Sequence, residues 1–167
     1  MMQLFHGSDV VVRKPLVKVG RKKVDFGQGF YLTLLREQAE SWARTIASRT
    51  RNRKQVLNIY KFDEQAAHVM IGNRYKVFAA YDMVWLDYVV DCRKGGEAQS
   101  QYDIVEGGVA NDNVIDTVED YENGIITAEQ ALGQLAYKKV NHQICIRFQA
   151  VIDSCLTFVN AVELERS

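Results

Sequence analysis

Residues 24–43, VDFGQGFYLTLLREQAESWA, constrain this chain more than any other stretch. Gly27 and Gly29 flank Gln28, so the backbone there can turn tightly, take positive φ or pass close to a ligand. Phe30-Tyr31-Leu32 is a short apolar run and reads as a strand. Beyond it Ala39, Trp42, Ala43, Ile46 and Ala47 recur at helical spacing and form one apolar face. A glycine loop, a strand carrying Tyr31 and an amphipathic helix thus form one unit. Taken alone, the unit also fits ordinary strand–turn–helix packing.

The remaining elements alternate irregularly, which gives an α+β class. Residues 3–8 read as an N-terminal strand ending in His6-Gly7, and residues 9–23 as a loop with an extended piece at 16–19. The first helix, 36–48, lacks a good N-cap, because Leu34 and Leu35 stand where Ser or Asp is expected. Residues 56–62 read as a strand, and 66–77 as a turn plus a short strand at 68–71. Met83, Leu86 and Val90 share one face of a core helix over 79–92, and the polar stretch 93–101 reads as a mobile loop. Residues 102–110 read as a strand, followed by a helix capped by Asn111 or Asp112 and ending near Gly124. Thr127-Ala128-Glu129-Gln130 has capping-box form, and 143–148 and 156–159 read as the last strands.

Length and charge narrow the function classes. At 167 residues the chain fits one domain, 1–167, large enough to bury most of its apolar surface. Basic and acidic residues balance at 21 each, so the molecule as a whole is not drawn to nucleic acid or an anionic membrane. No apolar run approaches membrane-spanning length and no signal pattern opens the chain, which implies a cytoplasmic protein. Cys92, Cys145 and Cys155 have no metal-like spacing and read as reduced thiols.

Four ordered stretches carry a family resemblance: FHGS at 5–8, DFGQGFYLT at 25–33, QAESWA at 38–43 and YDIVEGGVAND at 102–112. Together they resemble the ADP-ribosyltransferase superfamily in its His–Tyr–Glu branch, and more closely an uncharacterised bacterial family within it. The resemblance runs from His6 to about Phe158. It implies a split β-sheet with surrounding helices, an NAD cleft between the two halves, and transfer of ADP-ribose from NAD. It also implies a bacterial effector of the toxin–antitoxin kind, with an antitoxin protein as partner and a protein or nucleic-acid acceptor.

The resemblance assigns roles residue by residue. His6 would hydrogen-bond a ribose hydroxyl, Gly7 would pair its backbone with the carboxamide, and Ser8 would follow them in the site. Gly29 and Phe30 would line the cleft, Tyr31 would stack on nicotinamide, and Trp42 would close a sandwich. Thr33 would offer its hydroxyl to the nucleotide. Gln143 stands where the superfamily places its glutamate, so it keeps a hydrogen bond but brings no charge. No Asp or Glu lies between Asn141 and Ala150, and the candidates to take over the glutamate's role are Asp103 and Glu106, on the strand that resembles YDIV. Each role has a packing alternative: a turn cap for His6, a core aromatic for Tyr31, a core contact for Trp42.

Two basic clusters complete the list. Arg21, Lys22 and Lys23 precede the glycine loop and could meet the NAD pyrophosphate. Arg44, Arg49, Arg51, Arg53 and Lys54 could bind an anionic acceptor or form a solvated helix end. The leading expectation is an NAD-dependent mono-ADP-ribosyltransferase. The alternatives are a degenerate module that binds NAD or ADP-ribose, and a nucleic-acid-binding protein.

Overall fold

Seven strands in two sheets and six α-helices make up the described residues, 1–51, 54–111 and 114–166, of a computed structural model. The expected α+β class is the one the chain adopts. β1 (Met2–Ser8), β3 (Val56–Phe62) and β7 (Leu156–Glu163) form an antiparallel sheet in the order β1-β3-β7. β2 (Phe30–Leu32), β6 (Gln143–Ile146), β5 (Ile104–Gly107) and β4 (Tyr75–Val77) form the other, in the order β2-β6-β5-β4, with only β4–β5 parallel. One antiparallel bridge, Phe5 to Thr33, links the two sheets.

The strands alternate, and each face buries its own apolar set. Leu4, Phe30, Leu32, Tyr60, Ile104, Ile144 and Ile146 meet α2 (Glu64–Ile71) and α6 (Gln149–Cys155) in one core. On the other face Val105 and Cys145 pack against α3 (Met83–Arg93), α4 (Ile115–Glu122) and α5 (Ala128–Leu135), around the fully buried Trp85. A small third cluster, Phe5, Ala39, Leu57 and Ile59, sits under α1 (Arg36–Arg49). Each fully buried Leu or Ile contributes about 2 kcal/mol of transfer free energy, more than any single cap in the chain.

Several local expectations are corrected. Residues 68–71 are helical, because the Asp63 side chain accepts the Ala66 N–H at 2.9 Å and starts α2. α3 starts at Met83 rather than 79, where Asp82 caps the Trp85 N–H at 2.9 Å. The piece at 16–19 is a 3-10 turn, Val17–Val19. The stretch 93–101, expected as a mobile loop, holds a 3-10 turn (Glu97–Gln101) anchored by Asp91 on the Ala98 N–H and by Arg147 on the Gln99 carbonyl. Of the two expected α4 caps, Asp112 lies outside the described residues, and the Asn111 carbonyl accepts the Ile115 N–H. The Thr127–Gln130 capping box forms as expected, and the three cysteines are free and buried. No helix among the described residues is long and apolar enough to cross a membrane.

Candidate functional site

The seam between the sheets brings the first two expected residues together. Phe5 and Thr33 exchange two backbone hydrogen bonds of 2.9 Å, and β1 and β2 part after this single bridge. An antiparallel ladder alternates, so Gly7, like Phe5, turns its N–H and C=O away from β3 and toward the parting seam. Gly7 is a glycine for a steric reason: a Cβ there would lie 2.0 Å from the Ala39 carbonyl of α1. Across the seam His6 Nδ1 is 2.7 Å from the Tyr31 carbonyl oxygen. A carbonyl only accepts, so Nδ1 carries the proton and Nε2 keeps its lone pair. The ring lies against Phe30, centroids 4.4 Å apart, and burial pulls its pKa below the usual imidazole value despite the Tyr31 bond.

Tyr31 closes its own glycine loop. Its hydroxyl donates to the Gly27 carbonyl at 2.7 Å and accepts the Phe26 N–H at 3.0 Å, and its ring stacks on that of Phe26 with centroids 6.4 Å apart, leaving the residue half-buried. Gly27 has φ 82°, the positive value expected of this loop. Burial raises the Tyr31 pKa well above that of a free phenol and pushes the neighbouring Cys145 thiol up to about 12. Gln28 donates to the Lys18 and Gly20 carbonyls, and Arg147 Nε donates to the Gln28 carbonyl. Asp25 is buried, paired with Arg93 at 3.1 Å, and accepts the Ala110 N–H at 2.6 Å. Burial raises its pKa, with those two bonds opposing. The Asp and glycines of this loop therefore hold it against α3 and the segment after β5.

Gln143 begins β6 opposite Gly107. Tyr31 pairs with Cys145, and Gln143 lies two residues earlier, so Tyr31 and Gln143 occupy the same sheet face. The Gln143 Oε1 is buried and has no hydrogen-bond partner among the described residues. An orphaned buried acceptor costs roughly 1–3 kcal/mol, a cost that a ligand hydroxyl would remove. The two nearby acids are not equivalent. Asp103 forms a two-pronged ion pair with Arg74, at 2.8 and 3.0 Å. Glu106 stands opposite Ile144 and so belongs to the other face. It accepts from Tyr75 at 3.0 Å and from His142 Nε2 at 2.9 Å, and the His142 bond is the main reason its pKa is lowered.

The other expected residues are placed as follows. Thr33 is buried, and its hydroxyl accepts the Leu35 N–H at 3.0 Å, serving the start of α1. Ser8 Oγ accepts the Val10 N–H at 3.3 Å. Gly29 packs against Cys145 and Ile146. Trp42 is off the buried α1 face, 40% exposed, with the Arg21 guanidinium 5.9 Å over its ring. Arg49 and Arg51 are exposed, Arg44 reaches Glu40 at 4.0 Å, and Arg53 lies outside the described residues. Two open surface grooves, around Asp63–Met70 and Met1–Gln65, are not lined by His6, Tyr31 or Gln143.

Residues 2–158 match the model of a family described as Protein of unknown function (DUF3990). The chain belongs to this family. No curated protein and no solved structure matches the DUF3990 chain. Sequence reading missed His142, although it directly precedes Gln143. Its Nδ1 accepts the Leu34 N–H at 3.1 Å, and its carbonyl accepts from Gln38 at 2.8 Å, so it ties β5 and β6 to the start of α1. The dipeptide His142-Gln143 at a strand entrance was the available signal.

Proposed function

We propose that this chain is an NAD-dependent mono-ADP-ribosyltransferase whose nicotinamide site lies at the seam between the sheets. One observation carries the reading. His6 bonds the Tyr31 carbonyl between β1 and β2, with its ring against Phe30, and Gln143 of β6 shares the sheet face of Tyr31. The backbone edge of Gly7 fits a carboxamide, which needs one donor and one acceptor side by side. The Tyr31 ring supplies a stacking surface, and the His6 Nε2 lone pair suits a ribose hydroxyl. Gln143 Oε1 suits a hydroxyl of the nicotinamide ribose.

In this reading the C1′–N bond breaks with its electron pair on the nicotinamide nitrogen, which leaves neutral. The acceptor's lone pair then forms the new bond to C1′ and its proton passes to solvent. The effector and antitoxin roles implied by the resemblance belong to the same proposal.

A second reading is favoured by one specific observation: among the described residues the strand positions on this face, Tyr31, Cys145, Val105, Gln143 and Gly107, include no carboxylate to offset an oxocarbenium charge. That suits a binding module without catalysis. Nicotinamide release from wild type, Gln143→Ala and Gln143→Glu separates the two. Transfer predicts a fall in the alanine variant and a gain of up to roughly 100-fold in the glutamate variant. A rate near zero in all three, with NAD still bound, identifies the binding module.

A further inference from the structure

The chain's formal charge is zero, but it is not evenly spread. Residues 10–24 hold Arg13, Lys14, Lys18, Arg21, Lys22 and Lys23 and no acid, so the rest of the chain carries net −6, with 15 basic and 21 acidic residues. All six cations are exposed, and none forms an ion pair among the described residues. Asp25, the next acid along the chain, is committed to Arg93 and Ala110.

The backbone of residues 10–20, which bears three of these charges, is pinned. Asn58 accepts the Val12 N–H at 2.8 Å and donates to the Val10 carbonyl at 3.1 Å, while the Tyr60 hydroxyl donates to the Val12 carbonyl. Gln149 donates to the Pro15 carbonyl and accepts the Val17 N–H, at 3.0 and 2.9 Å. Gln28 holds the Lys18 and Gly20 carbonyls. Like charges repel, and an irregular segment could relax by spreading, yet seven hydrogen bonds from three parts of the fold fix residues 10–20, which carry Arg13, Lys14 and Lys18 and lead directly into Arg21, Lys22 and Lys23. Both arginines also lie over aromatic rings: Arg13 is 5.0 Å from the Phe158 centroid and Arg21 is 5.9 Å from that of Trp42.

We propose that residues 10–24, with Trp42 and Phe158, form a docking track for single-stranded nucleic acid. A run of exposed cations that form no ion pair among the described residues matches a phosphate chain, and guanidinium–aromatic pairs present flat surfaces on which unstacked bases pack. The track leads into the glycine loop that Tyr31 closes, so the strand it holds is brought to the proposed site as the acceptor. The acceptor role rests on the transferase reading; the binding itself does not. Val10, Val11, Leu16 and Val19 are also exposed, which makes an anionic lipid surface the rival occupant. Lipid headgroups have no flat bases for the two arginine–aromatic pairs to engage.

Fluorescence anisotropy with a labelled single strand of about 20 nucleotides tests the track. Six contacts predict a slope of log affinity against log salt near −4, at about 0.7 per phosphate neutralised. Replacing Lys14, Lys18, Lys22 and Lys23 by alanine should reduce the slope to about −1 and weaken binding at low salt by more than about tenfold. Arg13→Lys with Arg21→Lys keeps the charge, so it should weaken binding severalfold at an unchanged slope. No binding of the single strand at low salt, a slope that ignores the lysines, or tighter binding to the matching duplex or to phosphatidylserine vesicles would overturn the proposal. Titrating NAD into the same protein keeps the two readings apart. Strand binding without NAD binding removes the transferase, and the reverse removes the track.

Discussion

His6 and His142 stand at opposite sides of the seam region, and their imidazoles are used in opposite senses. His6 donates from Nδ1 to a carbonyl, that of Tyr31, and Nε2 has no hydrogen-bond partner among the described residues. His142 accepts at Nδ1 from the Leu34 N–H and donates from Nε2 to Glu106, so both nitrogens are committed. Their neutral forms are therefore different tautomers. The comparison teaches that a histidine's value to a ligand is set by what the main chain has already taken from it. His6 has an acceptor to offer, while His142 is a fastener that holds the end of β6, and with it Gln143, against the start of α1.

The largest way to break the His6 side is steric. Gly7→Ala puts a Cβ 2.0 Å from the Ala39 carbonyl and 2.7 Å from the Ala43 nitrogen, both backbone atoms that cannot swing aside. Urea denaturation should show a loss of about 3 kcal/mol or more, or no folded protein. A loss below about 1 kcal/mol would mean that α1 does not lie on β1 as described.

Breaking the His142 side should cost less. His142→Ala removes the partner of the Leu34 N–H and strips Glu106 of one of its two donors, with an expected loss of about 2 kcal/mol. The same measurement on His6→Ala should show about 1 kcal/mol, since only one bond and the Phe30 contact are lost. Equal costs would erase the distinction between fastener and acceptor.

Acid dependence gives the smallest and finest test. Burial lowers the His6 pKa from 6.5, so below that pH the unfolded chain takes up a proton that folded His6 resists. Stability from this source is complete above 6.5 and declines as pH falls. Glu106 is lowered from 4.5, chiefly by His142, so its contribution is complete above 4.5 and is lost as pH falls through the folded value. His6→Gln should flatten only the upper window and Glu106→Gln only the lower. A single window that responds to both variants would mean that the two groups titrate together.

Much of the His6 side was legible in the sequence because local rules write it. The glycine loop, the three-residue strand and the helical spacing after it are short-range patterns, and β2 and α1 begin where expected. Trp42 was misread because helical periodicity cannot say how wide the buried stripe is: Ala39, Ala43 and Ala47 are covered, while Trp42 sits outside them. The His142 side was nearly illegible. Its bonds join residues 36, 104 and 108 positions apart, and the strand register alone decides that Glu106 faces away from Gln143 while Asp103 is taken by Arg74. α2 was missed for a smaller reason, the Asp63 cap ahead of a short apolar run.

Calorimetric titration of NAD into wild type and His6→Ala tests the proposed nicotinamide site most directly. With circular dichroism confirming that both are folded, wild type should bind NAD and His6→Ala should bind at least about tenfold more weakly, the loss of one ligand hydrogen bond to a buried acceptor. Equal affinity in the two proteins, or no binding by wild type at millimolar NAD, would contradict the site.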